Sequence, residues 1–396
     1  MIAARLCVRP LLNRHQLGIN HSWRPKTKTA SRWLGTALSN QRTRLPLPPA
    51  GSSAWGLQRN QHLRDLLLRR TIGSKPSVTA PESLFSSRRL SQSFKLSDGR
   101  TLGFAEYGSP NGIPAFFLHG YVGSRADGVE WHKTAERLQV RIICMDRPGF
   151  GLSSFQPNRR ILDLPGDLRQ LARHLNLGAY YVFGQSGGGP YALACAYALP
   201  KGEVKGVGVV AGMAPWEFGS KGMKWQNRVV FNALATVPRL VRVFVDWIWV
   251  PRLQRQSKKE LEREYGKKLA SLRARDGAVL VADGAAAVRA AVATLQKAYQ
   301  QSAAGAVQEG TLFTKDWGFR LEDVKNHRVL LWWGTEDENA PIDMGRRMAQ
   351  RLPNAELIEF NGDTHYTLIP KRYPEILARL IRGEERRRPS PVGRRV

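Results

Sequence analysis

Six short apolar runs punctuate the middle of this chain: "IPAFFLHG" (113–120), "VRIICMD" (140–146), "AYYVFG" (179–184), "VKGVGVVAG" (204–212), "RVLLWWG" (328–334) and "AELIEF" (355–360). Most are continuous rather than alternating, the pattern of strands covered on both faces. Helical patterns lie between them. In "LDLPGDLRQLARHLNLG", Leu164, Leu168, Leu171 and Leu175 share one face, and Gly178 is placed to stop the helix. Strands alternating with helices imply right-handed crossovers, so the expected fold is α/β, a mostly parallel sheet with helices on both faces. "SFKLSDGRTLGFAEYG" adds a hairpin at Asp98-Gly99, and the folded part is expected to start near residue 91.

The spacing breaks once. About 115 residues separate Gly212 from Arg328, far more than the dozen or so that a crossover needs. An insertion over 214–322 is expected between two core pieces, 91–213 and 323–382. Its content is helical: Ser257 and Glu260 in "SKKELEREYGKKLASL" form a capping box, and residues 285–300 are rich in alanine. Such a helical cap would be entered near Trp216 and left near Trp317-Gly318-Phe319. Within it "RVVFNALATVPRLVRVFVDWIWVPRL" mixes aromatic, aliphatic and arginine side chains. This is the pattern either of ordinary amphipathic packing or of a lid that lines an apolar pocket or touches a lipid surface.

From Leu175 to Pro200 there are 26 residues without a formal charge, long enough to raise the question of a membrane span. Five glycines and Pro190 within it instead suit a buried strand, a sharp turn and a buried helix. The turn, "YYVFGQSGGGPYALA", holds two motifs at once. From Gly184 it reads Gly-Gln-Ser-Gly-Gly, the pattern of a serine nucleophile; from Gly187 it fits the glycine-rich turn that cradles a pyrophosphate. The second reading needs an acidic residue at the end of the next strand to hold a ribose. That strand ends in Val210-Ala211-Gly212, and Glu203 comes before it, so the phosphate reading fails. A serine held on a tight strand-to-helix turn does need small neighbours.

Serine is a poor nucleophile until a base takes its proton and an acid orients that base. Of the eight histidines, His15, His21 and His62 lie in a basic extension, His119, His132 and His174 precede the serine, and His327 lies just before a strand. His365, in "NGDTHYTL" after the last strand, is the candidate base. "LLWWGTEDENAP" places Asp337 at the carboxyl end of a strand, where open α/β sheets bind ligands. Glu336, Glu338 and, after the preceding strand, Glu217 compete with it. For the oxyanion, His119-Gly120 ends a strand and turns, so the backbone N–H of Tyr121 can join that of Gly187. His119 then has a structural role.

The order of HG loop, Ser186, Asp337 and His365 resembles the α/β-hydrolase superfamily over about residues 91–382, and "MDRPGFGLSS" matches that family's Asp-x-x-Gly-x-Gly-x-Ser loop. The resemblance implies a capped serine hydrolase of the esterase or lipase kind, working through an acyl-enzyme without a cofactor or metal. Serine at 186 disfavours the relatives with a carboxylate nucleophile, the dehalogenases and epoxide hydrolases. Two features depart from the family pattern. Asp363-Thr364 stand before His365 where many relatives carry glycines, and no Gly-Gly-Gly follows His119, so the single-glycine esterase/lipase pattern fits better. The expected substrate is a small or medium apolar carboxylic ester, with a carbon–carbon hydrolase, a lyase or a non-catalytic receptor as alternatives on the same fold.

The formal charge is +29. Residues 1–90 hold 16 Lys/Arg against 2 Asp/Glu, and the first acidic residue is Asp65. An acid-free, Arg- and Ser-rich start resembles a mitochondrial transit peptide; the alternative is a basic, disordered extension of a cytoplasmic protein. The end "GEERRRPSPVGRRV" (383–396) reads as a solvated basic tail. Lys/Arg in the middle are scattered rather than striped, so nucleic-acid binding is not expected. Cys7, Cys144 and Cys195 are too few and scattered for a disulfide framework or a zinc site.

Overall fold

The computed structural model describes residues 88–270 and 285–382. The extension read as a transit peptide and the basic tail therefore lie outside the described residues, apart from Arg88–Leu90. Those three residues form a 3₁₀ turn. Leu90 is buried, and its carbonyl accepts Nε of Arg125, so the described fold takes in at least these residues ahead of position 91.

Eight strands build one sheet in the order β1-β2-β4-β3-β5-β6-β7-β8. The hairpin is there: β1 (Gln92–Lys95) pairs antiparallel with β2 (Thr101–Gly108), and Gly99 takes a positive φ in the turn. β2 is also antiparallel to β4 (Val140–Met145). From there on every pairing is parallel, through β3 (Ile113–Leu118), β5 (Tyr180–Gln185), β6 (Val204–Val210), β7 (Val329–Gly334) and β8 (Ala355–Phe360). The six apolar runs are these six parallel strands.

The continuous apolar runs bury alternate residues on opposite faces. Phe116, Ile143, Val182, Leu331 and Trp333 pack into one core cluster, while Phe117, Ile142, Phe183, Leu330 and Trp332 pack into the other. A side-chain period of two makes every other residue of a run belong to one layer, so a run with no polar member needs helices on both sides. One layer includes α1 (His132–Arg137) and the terminal α11 (Leu368–Arg382); the other includes α2 (Leu164–His174), α3 (Gly189–Ala198) and α10 (Ile342–Arg351).

The uncharged stretch resolves as expected into β5, a turn and α3, in which Gly189 through Ala196 are all buried. No helix among the described residues is long and apolar enough to cross a membrane. The end of α2 differs from the sequence expectation. It ends at His174, and Asn176, two residues before Gly178, takes the left-handed turn with φ 55, with paired bonds from Asn176 N–H to the Arg173 carbonyl and from Leu177 N–H to the Ala172 carbonyl. Asparagine tolerates this left-handed stop better than other non-glycine residues, so glycine was not required.

Between β6 and β7 the chain is helical: α4 (Trp225–Thr236), α5 (Pro238–Phe244), a π turn (Val245–Trp249), α6 (Val250–Arg255), α7 (Lys258–Ala270), α8 (Ala285–Ala298) and α9 (Ala304–Phe313). The capping box starts α7, with Ser257 N–H donating to Glu260 Oε2 at 2.8 Å and Glu260 N–H to Ser257 Oγ at 3.3 Å. After β3 the chain moves to one side of that strand for β4 and to the other for β5. That reversal opens a crevice at the carboxyl ends of β3 and β5, where ligands of such sheets bind.

Candidate active site

Ser186 stands at this crevice. β5 runs into a 3₁₀ turn, Ser186–Gly188, and straight on into α3. Ser186 itself has φ 51, a left-handed conformation that non-glycine residues seldom adopt and that lifts the hydroxyl out of the strand end. The turn tolerates no bulk. A Cβ on Gly188 would lie 2.0 Å from the Leu118 carbonyl oxygen, and one on Gly187 would lie 2.7 Å from Tyr121 Cβ. The glycines thus serve the serine. Glu203, the acid nearest to the failed phosphate reading, sits ahead of β6 and is bonded to Arg169.

Asp337 and His365 come from the loops after β7 and β8. Asp337 is buried; its Oδ1 accepts the N–H groups of Asn339 and Ala340, both at 2.8 Å, and its Oδ2 accepts Nδ1–H of His365 at 2.7 Å. A carboxylate bound by two backbone donors can only accept, so Nδ1 carries the proton and Nε2 is left as the acceptor. Asp363, one of the departures before the base, points away from it. Burial would raise its carboxyl pKa, but Lys371 Nζ at 2.9 Å and Arg372 Nε at 3.0 Å hold it below the usual carboxylate range.

The loop after β3 closes the site. A Cβ on Gly120 would lie 3.7 Å from Ser186 Cβ, and one on Gly187 would lie 3.1 Å from the Tyr121 nitrogen, so the two backbones meet beside the serine. His119 is fully buried, with Nδ1–H donating to the Gly120 carbonyl at 2.9 Å and Nε2 facing the Arg147 N–H at 3.4 Å. Burial, then the Arg147 charge, push its pKa well below the ordinary histidine value, so it stays neutral and braces the loop.

Ser186, Tyr121 and His365 line one pocket of about 160 Å³. Asp127 and Glu130 line it too, together with Tyr265, Ala291 and Leu295 from the helices between β6 and β7. The Ser186 hydroxyl is buried and has no hydrogen-bond partner, so no bond to His365 Nε2 is made. Catalytic hydrogen bonds commonly tighten only when substrate is bound. The competing acids are elsewhere: Glu217 is exposed and bonded to Arg351, Glu336 is exposed, and Glu338 pairs with Lys224. The other described histidines are structural. His132 accepts the Gly108 N–H, His174 stacks on Phe94, and His327 bonds the Leu199 carbonyl. His15, His21 and His62 lie outside the described residues.

The model of the "alpha/beta hydrolase fold" family matches residues 114–371. The chain belongs to the α/β-hydrolase family. Among curated proteins this α/β hydrolase is similar to proline iminopeptidases, 32% identical over 133 residues to that of Arabidopsis thaliana and 33% identical over 109 residues to that of Xanthomonas citri. Those matches cover 33% and 26% of the chain and 34% of each relative, so the similarity spans about a third of the relatives' length. Its fold is also that of an Exiguobacterium antarcticum esterase (TM-score 0.52, 17% identity, 72% of this chain and 97% of that one). It is likewise shared with E-2-(acetamidomethylene)succinate hydrolase (TM-score 0.53, 19% identity, 74% and 98%).

Two groups of this α/β hydrolase escaped sequence reasoning. Arg147, in the "MDRPGF" loop, donates through Nη1 to the His119 carbonyl at 2.5 Å and through Nη2 to that of Gly120 at 3.1 Å. Its Nε and Nη2 bond Glu309 of α9 at 2.5 and 2.7 Å, and Arg159 Nη2 reaches the same carboxylate at 3.2 Å. All three are buried. Glu309 is the only acidic residue in α9, a hint that it needs a partner, but nothing in the sequence says that the partner lies 162 positions away. The second group is Asp127 with Glu130, whose place in the pocket depends on how the loop after β3 turns. Among the described residues no group of His, Cys, Asp and Glu is arranged to hold a metal ion.

Proposed function

We propose that the protein is a serine hydrolase acting on a carboxylic ester through an acyl-enzyme. The observation that carries this is the unpartnered, buried Ser186 hydroxyl sharing a pocket with His365, whose other ring nitrogen is fixed by Asp337. Nε2 takes the proton as Ser186 Oγ attacks the carbonyl carbon, and Asp337 stabilises the imidazolium. The N–H groups of Tyr121 and Gly187 receive the oxyanion, His365 returns the proton to the leaving oxygen, and water attacks the acyl group by the same route in reverse. The helices between β6 and β7 act as the cap. Their contribution to the pocket is mostly apolar, and with about 160 Å³ the pocket suits a short acyl group.

A second reading rests on Asp127 and Glu130. Two acidic side chains in the pocket, Asp127 once it ionises above about pH 7, suit a substrate that brings a cationic amine, and the curated relatives in the comparison are named proline iminopeptidases. On this reading the bond cleaved is an amide beside a free amino group.

Labelling by a fluorophosphonate that is lost in Ser186→Ala is the expected result. Absence of labelling in a folded protein would leave a ligand receptor instead. Butyryl and acetyl p-nitrophenyl esters turned over faster than aminoacyl p-nitroanilides support the ester, and the opposite order supports the amine-bearing amide.

A further inference from the structure

Seven of the nine large apolar side chains exposed among the described residues fall between Trp225 and Ile248. Trp247 is 80% exposed and Leu240 67%, far more than residues of this size usually show. They are not scattered around the helices. Val237, Leu240, Val243 and Trp247 recur every three or four residues, which puts them on one outward face. The inward face is anchored: Phe231 packs on Tyr121 with ring centroids 6.0 Å apart, Thr311 Oγ1 donates to the Leu234 carbonyl, and Asp246 Oδ1 accepts the Ala303 N–H at 2.6 Å.

Charge surrounds the apolar stripe. Residues 225–255 carry five arginines and one acid, Asp246. Beneath α5 a cleft of about 500 Å³ is lined by Arg159, Arg160, Arg239, Arg242 and Lys315, with Asp316 as its only acidic member. Glu309, Asp163 and Asp246 balance three of these cations. Arg239 and Lys315 have no ion-pair partner among the described residues. Arg239 and Arg242 thus belong both to the cleft wall and to the helix that carries Leu240 and Val243.

We propose that this face docks on the surface of an anionic phospholipid membrane, with the aliphatic and indole side chains entering the acyl boundary and the arginine-lined cleft taking a lipid phosphate. Apolar insertion and basic attraction are the two signals that peripheral anchoring needs, and tryptophan is favoured at that depth. Charge argues against the other occupants. The chain's own residues 1–87 hold 14 Lys/Arg against two Asp/Glu, so they do not complement an arginine-rich face. A second copy docked through the same face would set Arg228, Arg239 and Arg242 against themselves. The inference does not depend on the proposed hydrolase activity.

Flotation of the full chain with phosphatidylcholine vesicles, with and without 30% phosphatidylserine, tests it, at both 0.1 M and 0.5 M NaCl. The higher salt screens the contribution of the basic extension. The full chain is expected to float with the phosphatidylserine vesicles at both salts. The double substitution Leu240→Glu, Trp247→Glu should lower the partition coefficient at 0.5 M by more than about tenfold, with an unchanged melting temperature. Arg239→Ala with Lys315→Ala should lower it at 0.1 M, by about fivefold per charge removed. Equal binding of the Glu double variant and the wild type would overturn the proposal, as would failure of the wild type to float. A dimer in sedimentation that dissociates on Trp247→Glu would assign the face to a second copy and also overturn it.

Discussion

Asp127 lines the pocket beside Glu130, half-buried and within reach of Thr294. Burial, and then the Glu130 charge, push its carboxyl up to about 7, against an opposing hydrogen bond from Thr294. The native state therefore keeps a proton that the unfolded chain loses near pH 4. Between these two values the unfolded state binds fewer protons, so this group's contribution to stability falls as pH rises. Asp127→Asn removes that dependence. Melting temperatures from pH 4 to 8 should show the variant gaining on the wild type up to about pH 7 and holding level above it, whereas a difference constant with pH contradicts the raised carboxyl. Ser186 was legible because a strained turn demands small neighbours that the sequence displays. Asp127 was not, since an acid shortly after a strand looks the same in sequence whether it faces open water or a pocket.

The element that couples the inserted helices to the loop after β3 is α9. Glu309 stands between Arg147 and Arg159, and Arg147 in turn holds the His119 and Gly120 carbonyls. Removing one partner of a buried ionic group leaves charge uncompensated and typically costs about 3–5 kcal/mol. Glu309→Gln keeps the shape and removes the charge. It should lower unfolding stability in urea by about that amount and reduce kcat on a p-nitrophenyl ester more than it raises KM, because the loop it steadies carries the proposed oxyanion donors. Unchanged stability would show that the two guanidinium groups are solvated by other means. Elements themselves were largely readable. Every one of the six apolar runs became a strand, as a sheet covered on both faces requires, and the capping box marked where α7 begins. Where α2 stops was misread, since Asn176 and Gly178 both suit a helix end and only the backbone shows which one takes it. The stretch from Arg228 to Leu253 was open to two readings, and core packing accounts for only part of it: Phe231, Leu234 and Trp249 are buried, while Trp247 and Leu240 face out.

At the scale of the whole molecule, the sheet order makes the site. Ser186, Asp337 and His365 lie far apart in the chain but follow β5, β7 and β8, whose parallel register sends all three loops to one edge. The sequence allows this to be foreseen, because each candidate falls just after an apolar run. It does not give the distances, nor that the buried Ser186 hydroxyl makes no hydrogen bond. The claim that the three side chains act as one unit is tested most directly by comparing kcat for His365→Ala, Asp337→Asn and the double variant on one ester. Residues of a shared proton path are strongly non-additive. If they form one proton path, His365→Ala lowers kcat by about 10⁴-fold or more and adding Asp337→Asn lowers it little further. Losses that multiply in the double variant would show that Asp337 and His365 act independently, and would contradict it.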